Sequence, residues 1–248
     1  MTSSPTLAFT GRCRREILRD PLSLIFGVGL PLVLLVLMST IQKNISVDIF
    51  SIERFAPGMS VFSLTFLMLF GGLLLATDRS TAFLSRIFAS PMHASGYILA
   101  YALPLFPLGL AQGGLCLVVA ALFFDLPATL GLLLAELALI PAILLFIGFG
   151  LLFGVLCAEK QVGAVASIVI QVASLLGGIW FDLDLIGGAF GKFARCLPFC
   201  HAVQSVQDAL SGNLTEALLH AAVVLGYTAM LFIAASILFG IKMRRGNA

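Results

Sequence analysis

The chain has 248 residues, of which 60% are hydrophobic and only 10% are charged, and its formal net charge is +2. Soluble domains carry roughly a quarter charged residues, so this composition excludes a water-soluble globular protein and indicates an integral membrane protein. The small net charge and the lack of a long basic tract argue against a nucleic-acid partner.

The N-terminal segment mixes apolar and basic residues over positions 7–20, directly before Pro21 and the first long apolar run. This pattern predicts an amphipathic helix on the cytoplasmic membrane surface, within a segment 1–21. The alternative is a solvated basic tail that only enforces the topology. Because the apolar run that follows is long enough to span a bilayer, we expect an uncleaved first span rather than a signal peptide.

Six apolar runs are long enough, at roughly 20 residues each, to cross a bilayer. They are residues 22–41, 57–77, 97–124, 128–157, 161–181 and 216–241. The third and fourth runs contain Pro104, Pro107 and Pro141, which predict tilted or kinked helices. The expected fold is an all-α integral membrane protein, with residues 1–248 forming a single transmembrane domain.

The distribution of basic residues favours one orientation. With the N-terminus in the cytoplasm, ten Lys and Arg residues face the cytoplasm and four face outside, namely Lys43, Arg54, Lys192 and Arg195. Cytoplasmic loops of membrane proteins carry such an excess of positive charge. The sequence therefore predicts that both termini lie in the cytoplasm.

A short charged segment, residues 78–92, separates the second and third runs. At helical spacing one face carries Phe83, Leu84, Ile87 and Phe88. Ser80 or Thr81 could cap the start of this helix and Pro91 would end it. We interpret it as an amphipathic helix that docks into a groove on a cytoplasmic partner, the alternative being a helix that only lies along the headgroups.

The segment between the fifth and sixth runs, residues 182–215, is too apolar for a solvated loop and too broken for a span. It predicts short helices or a re-entrant hairpin at the outer face. Trp180, just before it, is interpreted as an aromatic residue at the membrane interface, the alternative being a substrate contact. Cys196 and Cys200 fall in this segment, and whether they form a disulfide is left open because one-turn spacing aims the thiols poorly.

The sequence lacks the phosphate-binding pattern G-x-x-x-x-G-K-[ST]. Its only Gly-Lys pair, Gly191-Lys192, is followed by Phe193 and has Ile186 where the first glycine would stand. His93, His201 and His220 are scattered along the chain. We therefore expect no catalytic residue, no metal site and no ATP bound by this chain.

Glu136 is the only ionisable residue deep within a predicted span. A lone carboxylate of this kind is interpreted as a satisfied contact between helices or a group near the outer end of its span. The alternative function that it supports is an ion-coupled carrier or channel. Small residues at Gly109 and Gly113, and at Gly148, Gly150 and Gly154, favour close helix packing.

Taken in order along the chain, these features resemble the transmembrane permease subunit of type-2 ABC transporters. The segment Arg15 to Pro21 with the first span resembles the connecting helix of that family, and Phe55-Ala56-Pro57-Gly58 resembles the opening of its second span. Residues 78–91 resemble its coupling helix, with Ser80 in place of the usual glycine and Asp78 as the only acidic residue. Pro198, Ala202-Val203 and Leu210-Ser211-Gly212 resemble its extracytoplasmic helices.

The resemblance implies an exporter subunit rather than an enzyme, acting in multidrug efflux or a similar export of a drug-like, lipid-like or other amphipathic substrate. It further implies a separate cytoplasmic ATPase that binds ATP and Mg, a second permease copy or homologue in a homo- or heterodimer, and a bacterial plasma membrane. This chain would bind no cofactor itself. The remaining alternative is a non-transporting membrane anchor or regulatory module.

The resemblance also implies three sets of site residues. The contact with the ATPase would involve Asp78, Arg79, Thr81, Phe83, Leu84, Arg86, Ile87, Phe88 and Pro91. The N-terminal amphipathic helix would contribute Arg14, Arg15, Glu16 and Arg19. The substrate pathway would be lined by Phe62, Phe66, Gln171 and Ser174.

The predicted orientation can be tested by cysteine labelling in a variant without the five native cysteines. Because the positive charges lie mainly on one side, Ser46→Cys should react with a membrane-impermeant maleimide in intact cells and Ser85→Cys only after permeabilisation. Labelling of the Ser85→Cys variant from outside intact cells would reverse the topology.

Overall fold

The computed structural model describes residues 5–44, 51–80, 93–127, 130–180 and 187–246. The regular structure in these ranges is helical. In chain order the helices are α1 (Pro5–Leu18), α2 (Pro21–Asn44), α3 (Ile52–Ser80), α4 (Ala94–Phe123), α5 (Leu130–Leu156), α6 (Glu159–Leu176), α7 (Gly188–Arg195), α8 (Pro198–Leu210) and α9 (Leu214–Gly246).

Six of the described helices are long and apolar enough to cross a membrane, namely α2, α3, α4, α5, α6 and α9. This result confirms the all-α class and the predicted number of spans. Helices form here because an apolar backbone segment in lipid must satisfy its own N–H and C=O groups. The short helices α7 and α8 precede the last span, as the sequence predicts.

The ends of the spans differ from the sequence prediction. Helix α3 continues through Ser80, so Asp78 and Arg79 lie in its last turn and not in a separate loop. Helix α6 ends at Leu176, and Gly178 follows with a positive φ of 71°, a conformation that turns the chain back. The rest of the predicted coupling helix, residues 81–92 of 78–92, lies outside the described residues.

Helices α3 and α5 form the centre of the bundle, since 72% of the residues in the spanning window of each are buried. For α2, α6 and α9 the corresponding share is between 22% and 28%. Most residues in the spanning windows of these three helices are therefore not fully buried by the rest of the described chain. Helix α4 contains Pro104 and Pro107 and remains a single helix of 30 residues.

Glycines allow α3 and α5 to pack with their backbones in contact. A Cβ atom added at Gly154 would lie 2.8 Å from the carbonyl oxygen of Gly72, and one at Gly72 would lie 3.0 Å from the carbonyl oxygen of Gly150. On α4, a Cβ at Gly113 would lie 2.8 Å from a methyl group of Leu139. The small residues noted in the sequence thus serve packing inside this chain.

This contact predicts that Gly154→Val destabilises the bundle. The added side chain would be forced against the α3 backbone, and overpacking of this kind costs about 1–3 kcal/mol. The measurement is the apparent melting temperature in detergent, followed by size-exclusion of heated samples. Gly163→Val is the matched control, because nothing lies within 4 Å of a Cβ at Gly163, and equal losses in both variants would contradict the assigned contact.

Candidate functional site

The side chain of Asp78 joins three helices at the end of the bundle that we predict to face the cytoplasm. Asp78 lies in the last turn of α3 and is 3% exposed. Arg12 of α1 donates to both carboxylate oxygens, each at 2.7 Å, and the Tyr101 hydroxyl of α4 donates to one of them at 2.6 Å. A buried carboxylate is stable only with such partners. The arrangement therefore ties α1 to the spans.

The charge network continues along α1. Arg12 also pairs with Glu16, one turn later, at 2.8 Å. The hydrogen bonds to Asp78 raise the pKa of the Arg12 guanidinium above its ordinary value. Burial raises the pKa of the Glu16 carboxyl, with the nearby negative charge of Asp78 adding to the effect. Arg12 thus stays charged and pairs with the carboxylates of both Asp78 and Glu16.

Aromatic packing supports the same docking of α1. The Phe9 ring meets Tyr97 and Tyr101 edge to face, with centroid distances of 5.7 and 5.1 Å. Cys13 is fully buried, and burial raises the pKa of its thiol to about 12. Residues 5–18 therefore form a docked helix, and the alternative of a solvated tail is wrong for them. Of the residues predicted on this helix, Glu16 is partly buried, while Arg14, Arg15 and Arg19 are exposed.

Arg79, the next residue of α3, holds the end of α5. Its guanidinium donates to the carbonyl oxygens of Gly154 and Val155, and to that of Cys157 at 3.3 Å. Lys242 of α9 donates to the carbonyl oxygens of Val155 and Leu156. The last carbonyls of a helix lack partners within the helix and carry partial negative charge, so two cations at this end stabilise it.

Glu159 at the start of α6 completes the arrangement. Its carboxylate accepts hydrogen bonds from Thr77 at 3.0 Å and from Ser80 at 2.9 Å. Ser80 also donates to the carbonyl oxygen of Thr77, so its hydroxyl is engaged at the end of α3. We name the α3-end cluster as residues Thr77 to Ser80 with their partners Arg12, Tyr101 and Glu159. It links α3 to α1, α4, α5 and α6.

Asp78 and Arg79 were predicted to contact an ATPase, but both side chains bond inside the chain. Asp78 is the buried acceptor described above, and Arg79 is half-buried against the end of α5. Both residues directly precede residues 81–92 in the chain, and their side chains point into the bundle and not toward a partner protein. The other residues of that predicted contact, Thr81, Phe83, Leu84, Arg86, Ile87, Phe88 and Pro91, lie outside the described residues.

Three of the four predicted pathway residues meet around Trp180, near the middle of α3 and away from the α3-end cluster. The indole N–H of Trp180 donates to the Ser174 hydroxyl. The Phe62 ring lies 6.5 Å from Trp180 and 5.7 Å from Phe66, both edge to face. Phe62 and Ser174 are buried, whereas Gln171 is exposed on α6. Phe62, Phe66, Ser174 and Trp180 therefore form a closed aromatic cluster among the described residues.

Trp180 itself was interpreted only as an interfacial aromatic residue, and this reading is incomplete. Its ring also packs 5.8 Å from Phe55, so it is part of the bundle. The turn at Gly177 and Gly178 brings it back onto α3. The pair Gly177-Gly178, separated from Trp180 only by Ile179, was the signal in the sequence.

Other polar contacts were not visible in the sequence. His201 and His220 place their Nδ1 atoms 2.8 Å apart at the end of the bundle away from the α3-end cluster, and His220 lies 3.6 Å from Asp208. Cys196 and Cys200 are both free, and the buried Cys200 thiol donates to the carbonyl oxygen of Ala194 at 3.1 Å. The sequence also gives no sign of the contacts made by Arg12, Tyr101, Glu159 and Lys242. The position of Asp78 at the end of an apolar run indicates only that its carboxylate, if buried, would need a partner.

The bundle and the α3-end cluster define a multi-pass membrane protein whose N-terminal helix packs against the spans and is hydrogen-bonded to them. A family model described as ABC-2 type transporter matches residues 5–211, from α1 to the end of α8. The chain therefore belongs to the ABC-2 type transporter family and is a permease component of an ABC transporter. No curated protein matches the chain significantly.

The docking of α1 can be measured through Cys13, in a variant in which it is the only cysteine. A buried thiol with a pKa of about 12 remains protonated at pH 8 and should react slowly with maleimide. Arg12→Ala removes the cation that pairs with Asp78, at a cost of about 1–3 kcal/mol or more, and should loosen α1. We expect Cys13 to react about tenfold faster or more.

Arg14→Ala is the matched control, since Arg14 is an exposed arginine on the same helix. It should leave the labelling rate unchanged. If Arg12→Ala also leaves the rate unchanged, then the ion pair with Asp78 does not hold α1 in place.

Proposed function

We propose that this permease component drives export by coupling residues 78–91 to a separate cytoplasmic ATPase. ATP and Mg²⁺ would bind to that ATPase, because this sequence lacks a phosphate-binding loop. The family supports this division between a membrane subunit and an ATPase. The transporter would lie in a bacterial plasma membrane with both termini in the cytoplasm.

The observation that carries this proposal is the α3-end cluster. Residues 81–92 follow Ser80 directly, so a displacement of that segment acts first on the last turn of α3. Hydrogen bonds from this turn reach α1, α4, α5 and α6. A movement that begins at the ATPase would therefore shift α3 together with α1, α4, α5 and α6. A flexible loop between the ATPase and α3 would not transmit it in this way.

The second part of the proposal concerns the pathway. Helices α2 and α6 leave large apolar side chains exposed, among them Phe26 and Val33 on α2 and Ile168 and Leu175 on α6. We propose that a second permease subunit, a copy or a homologue, packs near these helices. Separation of the subunits would open the closed cluster of Phe62, Phe66, Ser174 and Trp180. Its mainly apolar lining suits an amphipathic, drug-like or lipid-like substrate.

The test is the double substitution Phe83→Ala with Ile87→Ala, made in the complete transporter. Burial of each such side chain is worth roughly 1.5–3 kcal/mol, so removing two should weaken a subunit contact by about two orders of magnitude or more. The ATPase should no longer co-purify with the permease, and export should fall. Membrane insertion, measured by protease protection, should be unchanged.

Leu218→Ala with Leu219→Ala is the matched control. It also removes two large apolar side chains, which are 69% and 57% exposed near the start of α9 and far from the α3-end cluster. Co-purification and export should survive this change. If the Phe83 and Ile87 variant still binds its ATPase and exports at the normal rate, residues 78–91 form only an interfacial helix and the proposed coupling is refuted.

A further inference from the structure

A lateral groove between α4 and α5 contains the carboxylate of Glu136. The groove has a volume of about 430 Å³ and is otherwise lined by apolar side chains, including Leu110, Leu117, Val118 and Leu133. Small-molecule sites in proteins fall in this range of volume. Val118 is 45% exposed and Leu133 is 59% exposed, so the groove opens sideways where lipid would lie.

Gly114 makes room for the carboxylate in this groove. A Cβ atom at Gly114 would lie 2.6 Å from Oε2 of Glu136, closer than atoms can approach without a shift. Any larger residue at this position would compete with the carboxylate for the space. Gly114 thus leaves space for the Glu136 side chain, whose flexible end would have to shift if a larger residue stood there.

Glu136 differs from the charged groups at the ends of the other spans. Asp78 is held by Arg12 and Tyr101, Glu159 accepts from Thr77 and Ser80, and Arg79 and Lys242 donate to carbonyl oxygens. Within the described ranges no hydrogen bond or ion pair reaches Glu136. A satisfied contact between helices therefore finds no support within the described ranges, whereas the place of Glu136 seven residues into α5 fits the second interpretation, a group near one end of its span.

The position of Glu136 makes this lack of a partner costly. It is the seventh residue of α5, about 9 Å along the helix axis from Leu130. A charged side chain costs at least about 2.5–3.5 kcal/mol near the centre of a bilayer and less toward the interface, where Glu136 lies. A positive charge beside the carboxylate would offset this cost, and the open side of the groove is where one can arrive.

Most cations of the described spans lie away from the level of Glu136. Arg79, Lys160 and Lys242 lie at the opposite ends of their helices from the level of Glu136, and Arg54 interacts with other groups of its own chain. The unmatched carboxylate in an apolar, lipid-facing groove instead complements a small ligand that combines a cation with a hydrocarbon chain.

We propose that this groove is a binding site for cationic amphiphiles, in which Glu136 pairs with a protonated amine or quaternary ammonium group. The hydrocarbon chain of the ligand lies along Leu117, Val118, Leu132 and Leu133. An ion pair away from water is stronger than one at the surface, so charge selects the ligand and the apolar wall contributes affinity. The expected ligands are thus cationic amphiphiles, and their binding does not depend on the proposed coupling to an ATPase.

The experiment uses the full chain alone in phosphatidylcholine nanodiscs, without ATPase. The probe is a dodecylamine that carries a photoreactive diazirine, and labelled peptides are mapped by mass spectrometry. We expect labelling to concentrate in residues 110–118 and 132–137. A dodecanol with the same diazirine should label this groove at least about tenfold less, because it cannot form the ion pair.

Glu136→Gln should reduce labelling by the amine at least about tenfold. Leu137→Gln is the matched control, since it places the same amide on the neighbouring, 53% exposed residue outside the groove lining, and should leave labelling unchanged. If Glu136→Gln fails to fold, Gly114→Leu tests the site in another way, because it fills the groove while retaining the carboxylate and should also abolish labelling.

Equal labelling by the amine and the alcohol would overturn the proposal, since the groove would then hold only lipid tails. So would an unchanged yield in Glu136→Gln, or covalent dimers crosslinked through the groove in place of probe adducts. Because the readout is binding to the isolated permease, its failure leaves the coupling proposal untouched. Failure of the Phe83 and Ile87 test likewise leaves this site untouched.

Discussion

The structure depends most on the pairing of the buried Asp78 carboxylate with Arg12 and Tyr101. A carboxylate at the end of an apolar span is tolerated only when its oxygens are bonded, and the partners come from α1 and α4. This requirement fixes the N-terminal helix against the bundle. The next residue, Arg79, extends the same principle to the unsatisfied carbonyls of α5. One turn of α3 thus sets the positions of its neighbours.

Helix α3 also connects the closed aromatic cluster with the α3-end cluster. Phe62, in the closed aromatic cluster, and Asp78, in the α3-end cluster, lie on this one helix, about 24 Å apart along its axis. Backbone contact with α5 at Gly72, Gly150 and Gly154 keeps α3 from bending away. Under the proposed function, α3 is the rigid element that would carry a displacement from the ATPase side to the pathway residues.

The intramembrane charges divide into two physical classes. Those near the α3 end are matched by internal partners and contribute to the architecture, whereas Glu136 faces a lipid-accessible groove without such a partner among the described residues. Burial of a charge is costly in both cases, and the difference lies in where the compensating group resides. A charge that is paired within the chain stabilises the fold. A charge without such a pair leaves a position where a ligand of opposite charge can bind.

The sequence by itself determined the membrane class, the six spans, the short helices before the last span and the family, because hydropathy and the need for internal backbone hydrogen bonds act locally along the chain. Only the tertiary structure decided which side chains meet. Arg12 and Asp78 are separated by 66 positions, and His201 and His220 by 19, and neither pair has a signature in the sequence. Such contacts depend on how each helix is rotated and how far it extends. Packing determines the rotation and the length of each helix. The close contact of Gly72 with Gly150 fixes how α3 and α5 face each other. The hydrogen bonds of Asp78 and Arg79 inside the chain fix where α3 ends.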